Sequence, residues 1–146
     1  MMRRALELAR EAAAIGEVPV GAVVYATESN QIVGEGFNTR ERDQDPTLHA
    51  EVIAIRQAAK AIGSWRLNGC SLVVTLEPCC MCAGAIVNAR IGRVVYGADD
   101  PKAGAVRTLH QLLEDDRLNH RAAVVWGVCA EECGAILSEF FRARRG

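Results

Sequence analysis

Two cysteines three residues apart, directly after a proline in Pro78-Cys79-Cys80-Met81-Cys82, restrict this chain more than any other stretch. A helix-compatible run, Ala83-Gly84-Ala85-Ile86-Val87, follows them. Both thiols therefore fall on one face of a helix's first turn and point at the same spot. His49, thirty positions before Cys79, supplies a third soft or borderline donor. Two thiolates and an imidazole suit zinc, and three protein ligands leave a fourth position for water, which marks a catalytic rather than a closed structural site. Glu51, two residues after His49, then reads as a proton carrier and not as a fourth ligand.

The apolar spacing elsewhere predicts how these residues are brought together. Leu6, Ala9 and Ala13, with Ala5, Leu8 and Ala12 beside them, recur at helical intervals over residues 3–15, and Gly16 can close that helix. β-rich runs at 18–25 and 31–37 flank the polar turn Thr27-Glu28-Ser29-Asn30 and predict a hairpin. Residues 39–46 are charged and without apolar period, as a loop would be, while Asp45-Pro46-Thr47 carries the start signals of a helix over about 48–62. His49 falls in its first turn. Residues two apart deep in a helix point about 200° apart, but at a helix start His49 and Glu51 can flank one ligand. Ser71-Leu72-Val73-Val74-Thr75-Leu76 predicts a buried strand that delivers Glu77-Pro78 to the second helix. The positive ends of both helices would favour thiolates at Cys79 and Cys82. A strand over 93–97, a short helix over 109–113, a strand over 122–127 and a helix over 131–144 follow. Alternating strands and helices predict a layered α/β domain, and no repeat or linker divides it, so a single domain over 1–146 is expected.

Composition narrows the setting. With 146 residues, 50% of them hydrophobic and 24% charged, the chain can bury one ordinary core. The cysteines, at 70, 79, 80, 82, 129 and 133, crowd three into four positions, unlike a secreted disulfide framework. A reducing, cytoplasmic location is expected. No apolar run approaches a membrane span, and Met1-Met2-Arg3-Arg4 leads into an amphipathic helix pattern instead of a signal segment. A net charge of −1 gives no overall attraction for nucleic acid, so any RNA contact must rest on local patches.

His49-Ala50-Glu51 together with Pro78-Cys79-Cys80-Met81-Cys82 resembles the signature of the zinc-dependent cytidine/deoxycytidylate deaminase superfamily. Within it, several stretches are similar to the bacterial tRNA-specific adenosine deaminases: Glu17-Val18-Pro19-Val20-Gly21-Ala22-Val23, Gly34-Glu35-Gly36-Phe37-Asn38, Thr75-Leu76-Glu77-Pro78-Cys79, Cys82-Ala83-Gly84-Ala85-Ile86, Arg90-Ile91-Gly92-Arg93-Val94-Val95-Tyr96-Gly97-Ala98 and Asn119-His120-Arg121. The resemblance implies a three-layer α/β/α cytidine-deaminase-like fold with a central five-stranded mixed sheet. It further implies a homodimer with one Zn2+ per subunit and a tRNA anticodon stem-loop as partner. The implied reaction is hydrolytic deamination of adenosine to inosine at the wobble position, by zinc-activated water with a glutamate proton shuttle.

Residue by residue, the resemblance makes His49, Cys79 and Cys82 the zinc ligands and Glu51 the general acid/base. The chemistry explains the need for both: adenine C6 is a poor electrophile and ammonia a poor leaving group, so water must be activated and the departing amine protonated. Two thiolates offset the charge of zinc, which leaves more of the proton handling to Glu51. Asn38 is implied as the amide that meets the flipped base, Val20 and Ala50 as apolar pocket walls, Asp100 as a sugar or backbone contact and Lys102 as a phosphate contact. Phe140, Phe141 and Arg142 place stacking faces beside positive charge, a pairing suited to single-stranded loops.

Plainer readings exist for several of these positions. Asn38 also suits the end of a strand, Asp99-Asp100-Pro101-Lys102 is also a polar turn, and Phe140 and Phe141 could be core residues of a helix with a basic C-terminus. Cys80 lies about 100° around the helix from Cys79 and is expected to be buried and not to bind metal; Cys70 is also expected to be buried. Cys129 and Cys133 have i,i+4 spacing but no nearby histidine for a second site, and His110 and His120 read as surface or supporting residues. The zinc motif does not fix the substrate, so a deaminase of a free base or nucleoside, such as guanine, cytosine or cytidine, stands as the alternative. A zinc-stabilised binding subunit without activity would have no use for Glu51.

Overall fold

The computed structural model describes residues 1–145. Its elements in chain order are α1 (Met2–Ala14), β1 (Gly21–Ala26), β2 (Ile32–Phe37), α2 (Arg40–Asp43), α3 (Ala50–Ile62), β3 (Cys70–Leu76), α4 (Cys80–Ala89), β4 (Arg93–Ala98), β5 (Ala123–Val125) and α5 (Ala130–Arg145). The apolar run of β3 is buried from Cys70 to Thr75 and takes the central place in the sheet, where both faces are covered. β1 pairs antiparallel with β3 and with β2, whereas β4 runs parallel to β3 and β5 parallel to β4. The result is a five-stranded mixed sheet in the order β2-β1-β3-β4-β5.

Successive side chains of a strand point to opposite faces, and β1 shows how that divides the core. Ala22 and Val24 join Leu72 and Val74 against Ala50, Ala54 and Ala58 of α3 and Ala83 and Ile86 of α4. Val23 and Tyr25 join Val73 on the other face, against Met2, Ala5, Leu6 and Leu8 of α1 and Cys133 of α5. The molecule is thus a three-layer α/β/α structure. α3 can lie close on β2 because Gly36 has no side chain: a Cβ there would meet the Ala50 carbonyl and the Ala54 amide. Among the described residues no helix is long and apolar enough to cross a membrane.

Three local expectations are corrected. Residues 39–46 contain one turn of helix, α2, which ends at Gln44 in the left-handed region (φ 50°). Residues 109–113 form no helix; the amides of Leu109 and His110 turn back to the Gly104 carbonyl and that of Leu112 to Ala105. Cys80 is exposed, because the side of α4 that it occupies faces solvent, whereas Cys70 is buried as expected. Of the remaining pair, Cys133 is buried and Cys129 half-buried, and His120 bonds the Ile91 carbonyl at 2.7 Å.

Candidate active site

The sheet pairing brings four strand ends to one edge. β3 ends at Leu76, opposite the end of β4 at Ala98, and the antiparallel β1 begins and β2 ends at the same edge, with Gly21 opposite Phe37. α3 and α4 both start there. His49 is the N-terminal cap position of α3 and Cys79 that of α4, each with an extended backbone (φ −78°, ψ 154° and φ −78°, ψ 179°) and no side-chain hydrogen bond to its helix. The helix ends thus present partial positive charge to the donors they carry.

The donor geometry fits a metal ion. Nδ1 of His49 lies 3.6 Å from Sγ of both Cys79 and Cys82, and the three donor atoms lie within 4.8 Å of one another. Ligands at ~2.3 Å (sulfur) and ~2.0 Å (nitrogen) around one tetrahedral zinc stand roughly 3.6 Å apart, so the spacing and the chemistry of the set both suit that ion. The protons are distributed accordingly. A hydrogen bond from Cys82 and another with His49 pull the Cys79 thiol down to about 3 against the effect of burial. Cys82, which shares its proton with Cys79 and is buried near Glu51, is pushed up. His49 is raised, chiefly by its bond with Cys79. Of the three donors Cys79 is thus the one shifted toward its anionic form.

Beside these donors is a cavity of about 220 Å³, lined by Val18, Val20, Asn38, Arg40, His49, Glu51, Leu76, Glu77, Cys79, Asp100 and Ala103. Glu51, in the first turn of α3, is buried, and loss of solvent raises its carboxyl above the usual range. Asn38 has a fixed orientation: Nδ2 donates to the Val18 carbonyl at 3.0 Å and Oδ1 accepts the Ala50 amide at 2.8 Å. One N–H and one lone pair of its amide remain for a ligand. Val20 forms an apolar wall. Ala50 does not line the cavity. Its methyl is in the core, and its amide alone reaches the site, through Asn38.

The outer residues divide. Asp100 lines the cavity and its Oδ1 accepts the amides of Lys102 and Ala103 at 3.0 and 3.2 Å, while Lys102 is exposed beyond the lining. Phe140 and Phe141 are not core residues: they line a neighbouring cleft of about 210 Å³ that shares Val18, Asn38 and Arg40 with the first cavity. Arg144 joins them there, stacked 4.7 Å over the Phe140 ring, whereas Arg142 is exposed outside the cleft. Sequence reasoning passed over Arg40, Glu17 and Glu77. Arg40 sat in a run read as a loop. Both glutamates are 2% exposed, Glu17 between α1 and β1 and Glu77 between β3 and α4, and a buried carboxylate in such a junction is a signal only once burial is known.

Comparison with known proteins agrees with this geometry. Residues 1–145 match the MafB19-like deaminase family. The tRNA-specific adenosine deaminase of Bacillus subtilis (strain 168) is 50% identical over 144 residues, covering 99% of this chain and 88% of that protein. That of Haemophilus influenzae is 52% identical over 145 residues, covering 99% and 83%. A solved structure from work on A-to-I editing by tRNA:A34 deaminases superposes with a TM-score of 0.89 at 42% identity, over 93% of this chain and 97% of the other. A guanine deaminase from Nitrosomonas europaea shares the fold, with a TM-score of 0.84 at 23% identity over 95% and 81%. A cysteine–histidine cluster at paired helix starts, on a sheet of this order and at such identity along nearly its whole length, assigns the chain to the family of tRNA-specific adenosine deaminases.

Proposed function

We propose that this chain hydrolyses adenosine to inosine and ammonia at the wobble position of a tRNA anticodon. The observation that carries the reading is that one cavity joins the His49–Cys79–Cys82 cluster, the buried carboxylate of Glu51 and the oriented amide of Asn38. One Zn2+ held by His49 Nδ1 and the two sulfurs would supply Lewis acidity toward water.

The residues of the chain account for the other requirements. Glu51 takes a proton from water as its oxygen adds to C6 and passes it to the purine ring nitrogen; it then takes the second proton from the new C6 hydroxyl and gives it to the amine as the C–N bond breaks, the C6 carbonyl forms and ammonia leaves. The free N–H and lone pair of Asn38 hold the edge of the flipped base, and Val20 packs on its face. Asp100 meets the sugar or backbone at the cavity mouth, and Lys102, exposed just beyond, meets a phosphate. Phe140 and Phe141 offer ring faces to neighbouring nucleotides, with Arg142 and Arg144 adding positive charge.

The chain acts as a single domain over 1–146 and as a homodimer. Exposed Ile62, Trp65 and Met81 on the α3–α4 side support the second statement. A tRNA substrate and unpaired thiols suit the cytoplasm.

The test is mass spectrometry of digested products after incubation with an anticodon stem-loop bearing adenosine at the wobble position, with free adenosine, guanine and cytosine in parallel. Inosine from the stem-loop alone is expected. Conversion of a free base with the stem-loop untouched would replace this reading with a metabolic deaminase.

A further inference from the structure

Residues 99–122 connect the parallel strands β4 and β5 without a helix, and Asp100 and Ala103 from this run form part of the cavity wall. Irregular segments of such length ordinarily open locally at little cost. The first part of this one, residues 100–108, is gathered on a single side chain. Glu77, 2% exposed and two residues before Cys79, turns its carboxylate into the loop. Oε1 accepts the Asp100 amide at 3.0 Å and the Thr108 hydroxyl. Oε2 accepts the amides of Val106, Arg107 and Thr108 at 3.1, 2.8 and 2.9 Å. Gly104 lies against the same group, and a Cβ there would overlap Oε1. The Arg107 guanidinium is directed elsewhere, to Asp99 and the Tyr96 hydroxyl, so the carboxylate is met by dipoles and not by a cation.

A similar arrangement holds the segment after Asn38. Glu17, also 2% exposed, accepts the amides of Glu41 and Arg42 at 3.1 and 2.7 Å, which fixes the start of α2 directly after Asn38 and at Arg40. Two segments that contribute to the cavity lining are therefore tied down by buried carboxylates outside the donor cluster.

We infer that Glu77 is a positioning residue for the RNA substrate, which holds Asp100 and Ala103 at the cavity mouth before RNA arrives by gathering the amides of 100–108 beside the metal-bearing helix start. The inference rests on the wobble-adenosine reading and deepens it. If the loop had to order on binding, that cost would reduce affinity; with Glu77 in place it is met during folding. The effect belongs to substrate binding, since Glu77 acts through the loop while Glu51 and the donor cluster stand on α3 and α4.

Glu77→Gln separates this role from a general contribution to folding. The glutamine keeps the shape but makes one end a donor. That end settles toward Asp100, because the Thr108 hydroxyl can turn to accept, whereas the three amides around Oε2 cannot. Asp100 loses its acceptor and the 106–108 amides keep theirs. In the zinc-loaded, full-length variant, amide hydrogen exchange over 100–103 should accelerate by ~10-fold or more with zinc content unchanged. KM for the stem-loop should rise ~10-fold with kcat within about twofold. Thr108→Val, which removes one hydroxyl and no charge, should shift both readouts the same way by a smaller factor, and it decides the matter if Glu77→Gln does not fold. Exchange over 100–103 as slow as in the parent, or a fall in kcat at constant KM, would overturn the assignment. Failure of the wobble-adenosine reading would appear separately, as a parent protein that leaves the stem-loop unchanged.

Discussion

Glu51 and Asn38 line one cavity with His49 and Cys79, yet the structure gives them different obligations. Glu51 is buried and lies outside the donor cluster, so its exchange for glutamine removes a proton carrier without removing a ligand. Glu51→Gln should retain zinc, measured by elemental analysis, and lose ~10²–10⁴-fold in single-turnover inosine formation. Full turnover in a zinc-loaded variant would show that Glu51 does not move the proton. Asn38 has a second task, because its amide joins the Val18 carbonyl to the Ala50 amide at the open start of α3. Asn38→Ala should therefore reduce stability by ~1 kcal/mol, the usual cost of an unmet helix start, in urea unfolding as well as weaken turnover. A variant with unchanged stability and lost turnover would make Asn38 a substrate contact alone.

At the scale of elements, α3 shows how packing sets the site. Gly36 lets the helix approach β2 until strand and helix backbones nearly touch, and His49 and Glu51 ride on the end of that helix. Gly36→Ala must push α3 outward or distort β2, and it should destabilise the fold by ~1–3 kcal/mol, as overpacking does. Since His49 moves with the helix, zinc affinity measured by competition with a chromophoric chelator should fall as well; loss of stability with undiminished affinity would show that the helix start is held independently. Elements of this kind were legible in the sequence because their apolar residues recur with one period: α1 through Leu6 and Ala9, β3 as an unbroken run, α5 over 131–144. The donor cluster was legible too, through the spacing of Cys79 and Cys82. The 99–122 connection was not. Leu109, Leu112 and Leu113 have helical intervals, but the loop's amides are taken by Glu77 and by the carbonyls of Gly104 and Ala105, partners that no local pattern displays. Ala50 was a pocket wall by resemblance alone; its methyl lies in the core, and only its amide meets Asn38.

Across the whole molecule the metal donors join parts that are distant along the chain. His49 follows the hairpin and begins α3, while Cys79 and Cys82 follow the central strand and begin α4, and both helices cover the same face of the sheet. An ion held by all three donors therefore ties two helix starts to each other and to the strand ends beneath them, and binding to the folded form alone adds to its stability by mass action. Removing zinc with a chelator should lower the melting temperature in scanning calorimetry. Free zinc at a thousand times its dissociation constant contributes ~4 kcal/mol, which for a domain of this size corresponds to a shift of roughly 10 °C. Readdition of zinc should restore both the melting temperature and inosine formation. A melting temperature unchanged by chelation, with activity lost and regained, would mean that the ion binds the unfolded chain as well as the folded one, so that the His49–Cys79–Cys82 cluster adds no net stability.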